Sequence, residues 1–141
     1  MNHGKKIYSI LIIDDDKPIR RIIKTQLGQA VYRVFEAESR AEVFNILDAR
    51  KIDAVICDIK MKDTDGFEVT RQIRSRFPGL PVIILTGLIE RENMETARSL
   101  GCYDFLIKPV KREKLRRVLA GAVGLPTAGE KQAEGEAAGG K

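Results

Sequence analysis

Acidic side chains stand at two points of the sequence where they could together bind a metal ion. Asp14, Asp15 and Asp16 directly follow an isoleucine-rich apolar run, and Asp58 directly follows another apolar run. Two carboxylates about 4–5 Å apart, at an effective dielectric constant near 20, repel each other by roughly 3–4 kcal/mol. If these acids converge, they need either protons or a divalent cation, and Mg²⁺ suits an open site with a few carboxylates.

Two more polar residues follow apolar runs in the same way. Thr86 comes after residues 81–85, and Lys108 comes after residues 105–107. A carboxylate such as Asp58 can act as a nucleophile and form an aspartyl phosphate. Phosphoryl transfer otherwise needs mainly positioning and charge stabilisation, which a metal ion and the amine of Lys108 could supply. The hydroxyl of Thr86 could then donate a hydrogen bond to a phosphoryl oxygen.

Alternating strands and helices must position these side chains. Apolar runs of strand length occupy residues 8–13, 31–37, 54–57, 81–85 and 105–107. Helical spacing of apolar residues follows at 17–30, after the Ser39–Glu42 capping box, and at about 66–76, 90–100 and 111–122. This alternation predicts a parallel α/β sheet with helices on both faces, whose ligands bind outside the carboxyl ends of the strands.

The length and composition predict one globular domain. A chain of 141 residues can bury roughly two-thirds of its unfolded surface, which is enough for a core without disulfides. After Val123 the sequence is mostly Gly, Ala, Glu and Lys. We therefore predict a polar N-terminal start at residues 1–6, the domain at residues 7–123, and a disordered tail or linker at residues 124–141.

Charge and hydropathy argue against several classes of function. The net charge is +5, but the basic residues are scattered among acids and aromatic residues are only 6% of the chain, so we expect no nucleic-acid binding by this domain. No apolar stretch approaches the ~20 residues that span a bilayer. The start is a poor signal peptide, and Cys57 and Cys102 form no CxxC pair, so we expect no membrane insertion and a cytoplasmic location.

Four sequence blocks resemble the signature blocks of the response regulator receiver family. They are LIIDDDKPIRR, VICDIKMKDTDGFE, VIILTG and FLIKPV, in that family's order and at its approximate spacing. The resemblance covers residues 7 to about 123. It implies a flavodoxin-like, doubly wound (βα)5 fold, which is a three-layer sandwich with a parallel sheet of strand order 2-1-3-4-5. It also implies a switch in two-component signalling, not an enzyme, that assists its own phosphoryl transfer and dephosphorylation.

The resemblance carries over site residues one by one. It implies that Asp58 is the phosphoacceptor. It also implies that Mg²⁺ is held by Asp14, Asp15, Asp58 and the backbone carbonyl of Lys60. One departure lies beside these positions, because Lys62 stands where the family usually has proline.

The same resemblance implies how phosphorylation is sensed. Thr86 and Lys108 match the residues that contact the phosphoryl group. Phe105 matches an aromatic switch position, which family members turn inward when the threonine is drawn to the phosphate. Phe105 lacks the hydroxyl of the usual tyrosine, so any switching here must be steric. The Lys108–Pro109 bond is often cis in such proteins, which X-Pro bonds tolerate at small cost.

Partners also follow from the resemblance. The phosphodonor would be a sensor histidine kinase or a phosphotransfer protein. The phosphorylated form would bind a downstream protein, or a second copy of the chain, through the face of the fourth helix, fifth strand and fifth helix. Met94, Arg98, Lys111 and Arg112 lie in that region.

Two other functions remain open at this point. Residues 14–18 (DDDKP) partly match the DxDx(T/V) pattern of haloacid-dehalogenase-type phosphohydrolases, in which Asp14 would be the nucleophile. That interpretation puts Pro18 where Thr or Val belongs and leaves Asp58 without a clear role. The other alternative is a receiver-like module that binds its partner without phosphorylation, against which the complete set of acids, threonine and lysine argues.

Overall fold

The computed structural model describes residues 6–87 and 90–125, which form a five-stranded sheet between two layers of helices. The elements are β1 (Tyr8–Ile13), α1 (Lys17–Leu27), β2 (Tyr32–Ala37), α2 (Arg40–Ala49), β3 (Ala54–Asp58), α3 (Gly66–Arg76), β4 (Val82–Thr86), α4 (Arg91–Ser99), β5 (Asp104–Ile107) and α5 (Arg112–Val123). Neighbouring strands all pair in parallel, in the order β2-β1-β3-β4-β5. The predicted doubly wound (βα)5 architecture and its strand order are confirmed.

Both faces of the sheet are buried, because successive side chains of a strand point to opposite faces. Leu11 and Ile13 of β1 belong to the core on the side of α2, α3 and α4. Ile10 and Ile12 belong to the core on the side of α1 and α5. Every residue of β3 and β4 is buried, which is typical of parallel strands covered on both faces.

The observed helix ends differ in part from the predicted ones. Helix α1 ends at Leu27, three residues earlier than predicted, because Gly28 adopts a φ of 70° and donates its N–H to the carbonyl of Lys24. At the start of α2 the Ser39 hydroxyl accepts the N–H of Glu42 at 3.3 Å. The Glu42 carboxylate accepts the N–H of Glu38 at 2.7 Å, so the predicted capping box forms with its return bond shifted by one residue.

The described chain ends on a packed turn after α5. Gly124 has a φ of 81°, and the N–H of Leu125 donates to the carbonyl of Ala120 at 2.7 Å. The side chain of Leu125 packs against the core on the α1 and α5 side. Residues 1–5 of the predicted N-terminal start and 126–141 of the predicted tail lie outside the described residues.

No helix in the described part of the chain combines the length and the apolar character that a bilayer crossing requires.

Gly66 allows α3 to approach the end of β3 more closely than any other residue could. A Cβ atom at position 66 would lie 2.0 Å from the carbonyl oxygen of Asp58 and 2.5 Å from the Cα of Ile59. The preceding residue, Asp65, caps α3 by accepting the N–H of Phe67 at 2.9 Å. This Asp-Gly pair therefore begins the helix and lets its first residue contact the backbone that carries Asp58.

We expect Gly66→Ala to lower the free energy of unfolding by about 2–3 kcal/mol, because the added methyl group has no space and the β3 backbone must move. Urea unfolding measures the change. Gly79→Ala is the matched control, since nothing lies within 4 Å of a Cβ atom at that position. Equal unfolding midpoints for the two variants would contradict the steric argument.

Candidate functional site

The strand register brings the predicted polar residues to one edge of the sheet. Asp58 ends β3 and Thr86 ends β4, while Asp14 and Lys108 directly follow β1 and β5. The parallel pairing aligns these four positions to within one residue between neighbouring strands. The edge is the carboxyl end of the sheet, where ligands of doubly wound folds bind.

Lys108 lies between two buried carboxyl groups. Its Nζ donates to Asp58 Oδ2 at 3.2 Å and lies 3.6 Å from Asp14 Oδ2. Asp14 is fully buried, and Asp58 is only 2% exposed. Burial alone would lower the pKa of Lys108, but the charges of Asp14 and Asp58 outweigh it, and the net direction is upward. Lys108 is therefore held as a cation beside the predicted phosphoacceptor.

Burial disfavours the ionised form of Asp14. Burial raises the pKa of its carboxyl group to about 6, and the charge of Asp58 acts in the same direction. The N–H of Asp16, which donates to Asp14 Oδ1 at 2.9 Å, and the charge of Lys108 act in the opposite direction. Asp14 Oδ2 is buried and accepts no hydrogen bond from the described residues. An oxygen in this condition is suited to a cation.

The cluster of Asp14, Asp15 and Asp58 fits a divalent metal ion. Each of the three residues offers one carboxylate oxygen, and these oxygens lie within 4.8 Å of one another. With all three ionised, the charge of −3 is reduced to −2 by Lys108, so a divalent cation neutralises the site. Oxygen ligands and partial exposure at Asp15 suit Mg²⁺, which keeps several of its waters.

The loop after β3 contacts two of these acids through its backbone. The N–H of Lys60 donates to Asp58 Oδ1 at 3.1 Å. The N–H of Lys62 donates to Asp15 Oδ2 at 2.7 Å. The described geometry thus places Lys60 next to the cluster, and the role of its carbonyl as a metal ligand stays a prediction.

The predicted sensing residues lie at the ends of β4 and β5. Thr86 is 2% exposed, and its carbonyl accepts the N–H of Lys108 at 2.8 Å. Phe105 is half-buried against the core on the side of α2, α3 and α4. The guanidinium of Arg98 lies 5.9 Å from the centre of the Phe105 ring. The Lys108–Pro109 peptide bond is cis, as the resemblance implied.

Arg20 is a buried part of the site that the sequence analysis missed. Its guanidinium donates to the carbonyl of Asp14 at 2.6 Å, to Glu36 at 2.8 Å and to Glu38 at 3.2 Å. The hydrogen bond from Arg20 lowers the pKa of the Glu36 carboxyl. Arg20 thereby ties the backbone of Asp14 to the end of β2.

One signal for Arg20 was present in the sequence. Arg20 precedes Ile23 by three residues and Leu27 by seven, so helical spacing puts its charge on the buried face of α1. A charged residue at such a position requires partners, which the acids at the end of β2 provide. The pattern did not reveal which acids these were.

Comparison with known proteins agrees with the geometry. A family model described as response regulator receiver domain matches residues 10–120. The transcriptional regulatory protein GlrR of Escherichia coli K12 is 34% identical over 114 residues, which are 81% of this chain and 26% of that protein. The chain therefore spans about a quarter of the length of this curated relative.

Two solved structures share the fold over nearly all of their own length. A CheY-like response regulator receiver domain protein from Methanospirillum hungatei JF-1 has a TM-score of 0.78 at 26% identity, covering 84% of this chain and 95% of that chain. A response regulator receiver domain protein from Clostridium thermocellum has a TM-score of 0.75 at 33% identity, with the same coverage of 84% and 95%.

We expect Asp14→Asn to stabilise the metal-free protein at about pH 7.5 by on the order of 1–3 kcal/mol. The pKa of Asp14 is raised from 3.8 to about 6 in the folded protein. Between pH 3.8 and about 6, the folded state therefore keeps a proton that the unfolded chain has lost, and above about 6 the folded state must carry the buried charge. This contribution to stability is fully present below pH 3.8 and is lost as the pH rises through about 6.

Urea unfolding in EDTA at about pH 5 and about pH 7.5 measures this difference. Asp63→Asn is the control, because Asp63 is an exposed acid in the neighbouring loop. A lower midpoint for Asp14→Asn than for the wild type at about pH 7.5 would show that the charge of Asp14 is not destabilising.

Proposed function

This chain belongs to the response regulator receiver domain family, whose members accept a phosphoryl group in two-component signal transduction, and we propose that Asp58 is the accepting residue. The observation that carries the proposal is the buried Asp58 carboxylate with Lys108 Nζ at 3.2 Å, next to the acidic cluster with Asp14 and Asp15. The donor in this proposal is a sensor histidine kinase or a phosphotransfer protein.

The chemistry needs little beyond what these residues offer. A carboxylate oxygen of Asp58 forms the new bond to phosphorus, while the bond from phosphorus to the donor nitrogen breaks and leaves its electron pair on the donor imidazole. Lys108 balances charge on the transferring group, and the Thr86 hydroxyl donates to one of its oxygens. Mg²⁺, held by Asp14, Asp15, Asp58 and the carbonyl of Lys60, would supply the remaining positive charge.

The proposal includes assistance by the same site in removing the phosphoryl group. Attack of water on phosphorus breaks the bond to Asp58, releases inorganic phosphate and regenerates the carboxylate. Lys108, together with a cation held by the acidic cluster, would balance charge on the phosphoryl group in both phosphorylation and hydrolysis. The chain is thus a switch that participates in its own loading and unloading, not an enzyme with a separate substrate.

Phosphorylation would bias an equilibrium between two conformations. Thr86 would move towards the phosphoryl group, and the half-buried Phe105 would turn inward into the space that Thr86 leaves. The stacking of Arg98 on Phe105 supports a link from this switch to the face formed by α4, β5 and α5. Met94, Lys111 and Arg112 belong to that face, which would bind a downstream protein or a second copy of the chain.

A cytoplasmic location is part of the proposal. Cys57 and Cys102 are free thiols, which suits a reducing compartment. Burial raises the pKa of Cys57 to about 12, so this thiol is an unreactive core residue.

Membership in the receiver family argues against the haloacid-dehalogenase alternative, in which Asp14 would have been the nucleophile.

We expect the wild-type protein to gain one phosphoryl group from a small-molecule phosphodonor in the presence of Mg²⁺. Intact-mass spectrometry measures the gain. Asp58→Asn should show none, because it lacks the nucleophilic oxygen, while Asp63→Asn should behave like the wild type. No gain in the wild type would instead favour a binding module that works without phosphorylation. A gain that is lost in Asp14→Asn but kept in Asp58→Asn would indicate the other nucleophile.

We expect charge reversal by Arg98→Glu and Arg112→Glu to weaken the self-association or target binding that phosphorylation induces, by at least about tenfold if both arginines contact the partner. Sedimentation of the phosphorylated protein measures self-association. Arg33→Glu is the control, since Arg33 is exposed on β2 at the opposite edge of the sheet. Association that is unchanged by the reversal at Arg98 and Arg112 would exclude this face.

A further inference from the structure

The three acids of the cluster each accept one backbone N–H group. Asp14 accepts from Asp16 at 2.9 Å, and Asp58 accepts from Lys60 at 3.1 Å, so both acids are held by the residue two positions later. Asp15 is different, because its Oδ2 accepts from Lys62 at 2.7 Å, across 47 positions of sequence. This bond joins the loop after β1 to the loop after β3.

The bond between Lys62 and Asp15 has the length of a charge-assisted hydrogen bond. Asp15 is the most accessible of the three acids, and among the described residues its carboxylate has no other hydrogen-bond donor than Lys62. Without that N–H its side chain is free to rotate towards solvent. The bond engages one carboxylate oxygen and leaves the other oxygen for a cation.

The N–H group that binds Asp15 is present because residue 62 is a lysine and not a proline. The family usually has proline at this position, and proline has no N–H to donate. The loop that carries the Lys62 N–H is anchored by the bridge between Lys60 and Asp65 and by the hydrogen bond from the Gly66 N–H to the Ile59 carbonyl at 3.2 Å. The N–H of Lys62 therefore projects from an anchored segment.

We propose that the peptide N–H of Lys62 is a positioning group for the metal site, which holds Asp15 in its ligating orientation before the cation arrives. Lys62 acts through Asp15 and does not itself contact the metal. Because the carboxylate is already ordered, less conformational freedom is lost when the cation binds. The inference rests on the proposed function, in that it concerns the same Mg²⁺ site.

Lys62→Pro removes the N–H and restores the usual residue of the family. Lys62→Ala is the matched control, because it removes the side-chain charge but keeps the N–H. Isothermal titration of each protein with MgCl₂ alone, without a phosphodonor, gives the affinity. We expect Lys62→Pro to bind Mg²⁺ about 3- to 10-fold more weakly than Lys62→Ala. The Mg²⁺ affinity of Lys62→Ala should lie within about twofold of the wild-type affinity, although this variant lacks one positive charge.

Asp15→Asn and the double variant Asp15→Asn/Lys62→Pro complete a mutant cycle. If the N–H acts through the Asp15 carboxylate, Lys62→Pro should have a much smaller effect in the Asp15→Asn background. A melt of Lys62→Pro in EDTA, compared with that of Lys62→Ala, detects any general loss of fold. If Lys62→Pro melts at a lower temperature than Lys62→Ala, the test instead follows the amide proton resonance of residue 62 in Lys62→Ala. Adding Asp15→Asn to that variant should move this resonance upfield.

The outcomes separate the inference from the proposed function. Equal or tighter Mg²⁺ binding by Lys62→Pro relative to Lys62→Ala overturns the positioning role, and so does an effect of the same size in the Asp15→Asn background. If Asp15→Asn and Asp58→Asn both bind Mg²⁺ as tightly as the wild type, the metal site of the proposed function fails, whatever Lys62 does.

Discussion

The site depends on holding several carboxylates together at one edge of the sheet, against both their mutual repulsion and their loss of hydration. Burial raises the pKa of the Asp14 carboxyl to about 6, which means that its ionised form is destabilised. The main compensation within the chain is Lys108, whose ammonium lies within 3.6 Å of Asp14 and 3.2 Å of Asp58. One cation cannot neutralise three acids, so the site is poised to take up positive charge.

Much of the surrounding structure serves to keep these acids in place. The backbone N–H groups of Asp16, Lys60 and Lys62 each hold one carboxylate. Arg20 holds the main chain at Asp14, although it must itself be paired with two glutamates because it is buried. Gly66 allows the first turn of α3 to lie against the backbone of Asp58. The acids are therefore held by contacts from the loops after β1 and β3 and from the starts of α1 and α3.

In the proposed function, a phosphoryl group on Asp58 would act on the α4, β5 and α5 face through strands β4 and β5. Strands β4 and β5 are joined at their ends by the bond from the Lys108 N–H to the Thr86 carbonyl. The aromatic side chain of β5, Phe105, is half-buried, and the guanidinium of Arg98 from α4 lies 5.9 Å from the centre of its ring. In the proposed switch, a change in charge at the sheet edge would act on residues that also border the α4, β5 and α5 face.

Sequence patterns alone predict the order of the elements, the strand ends to within one residue, and the polar residues at those ends. Apolar runs such as residues 8–13 and 54–57 identify buried parallel strands, because covering both faces of a sheet leaves no polar alternation. The polar residue that ends each run then marks the edge where ligands bind, which is why Asp58, Thr86 and Lys108 are predicted site residues. Local sequence and the family blocks were sufficient for this, since each signal lies within a few residues.

Which distant groups meet depends on the tertiary structure. Arg20 had a visible signal on the buried face of α1, but its pairing with Glu36 and Glu38 depends on how α1 lies across the end of β2. The early end of α1 depends on the backbone of Gly28, because helical spacing alone does not show where a chain turns away. The bond from Lys62 to Asp15 has no sequence pattern at all, since a backbone N–H is present at every residue except proline and only the fold brings the two loops together.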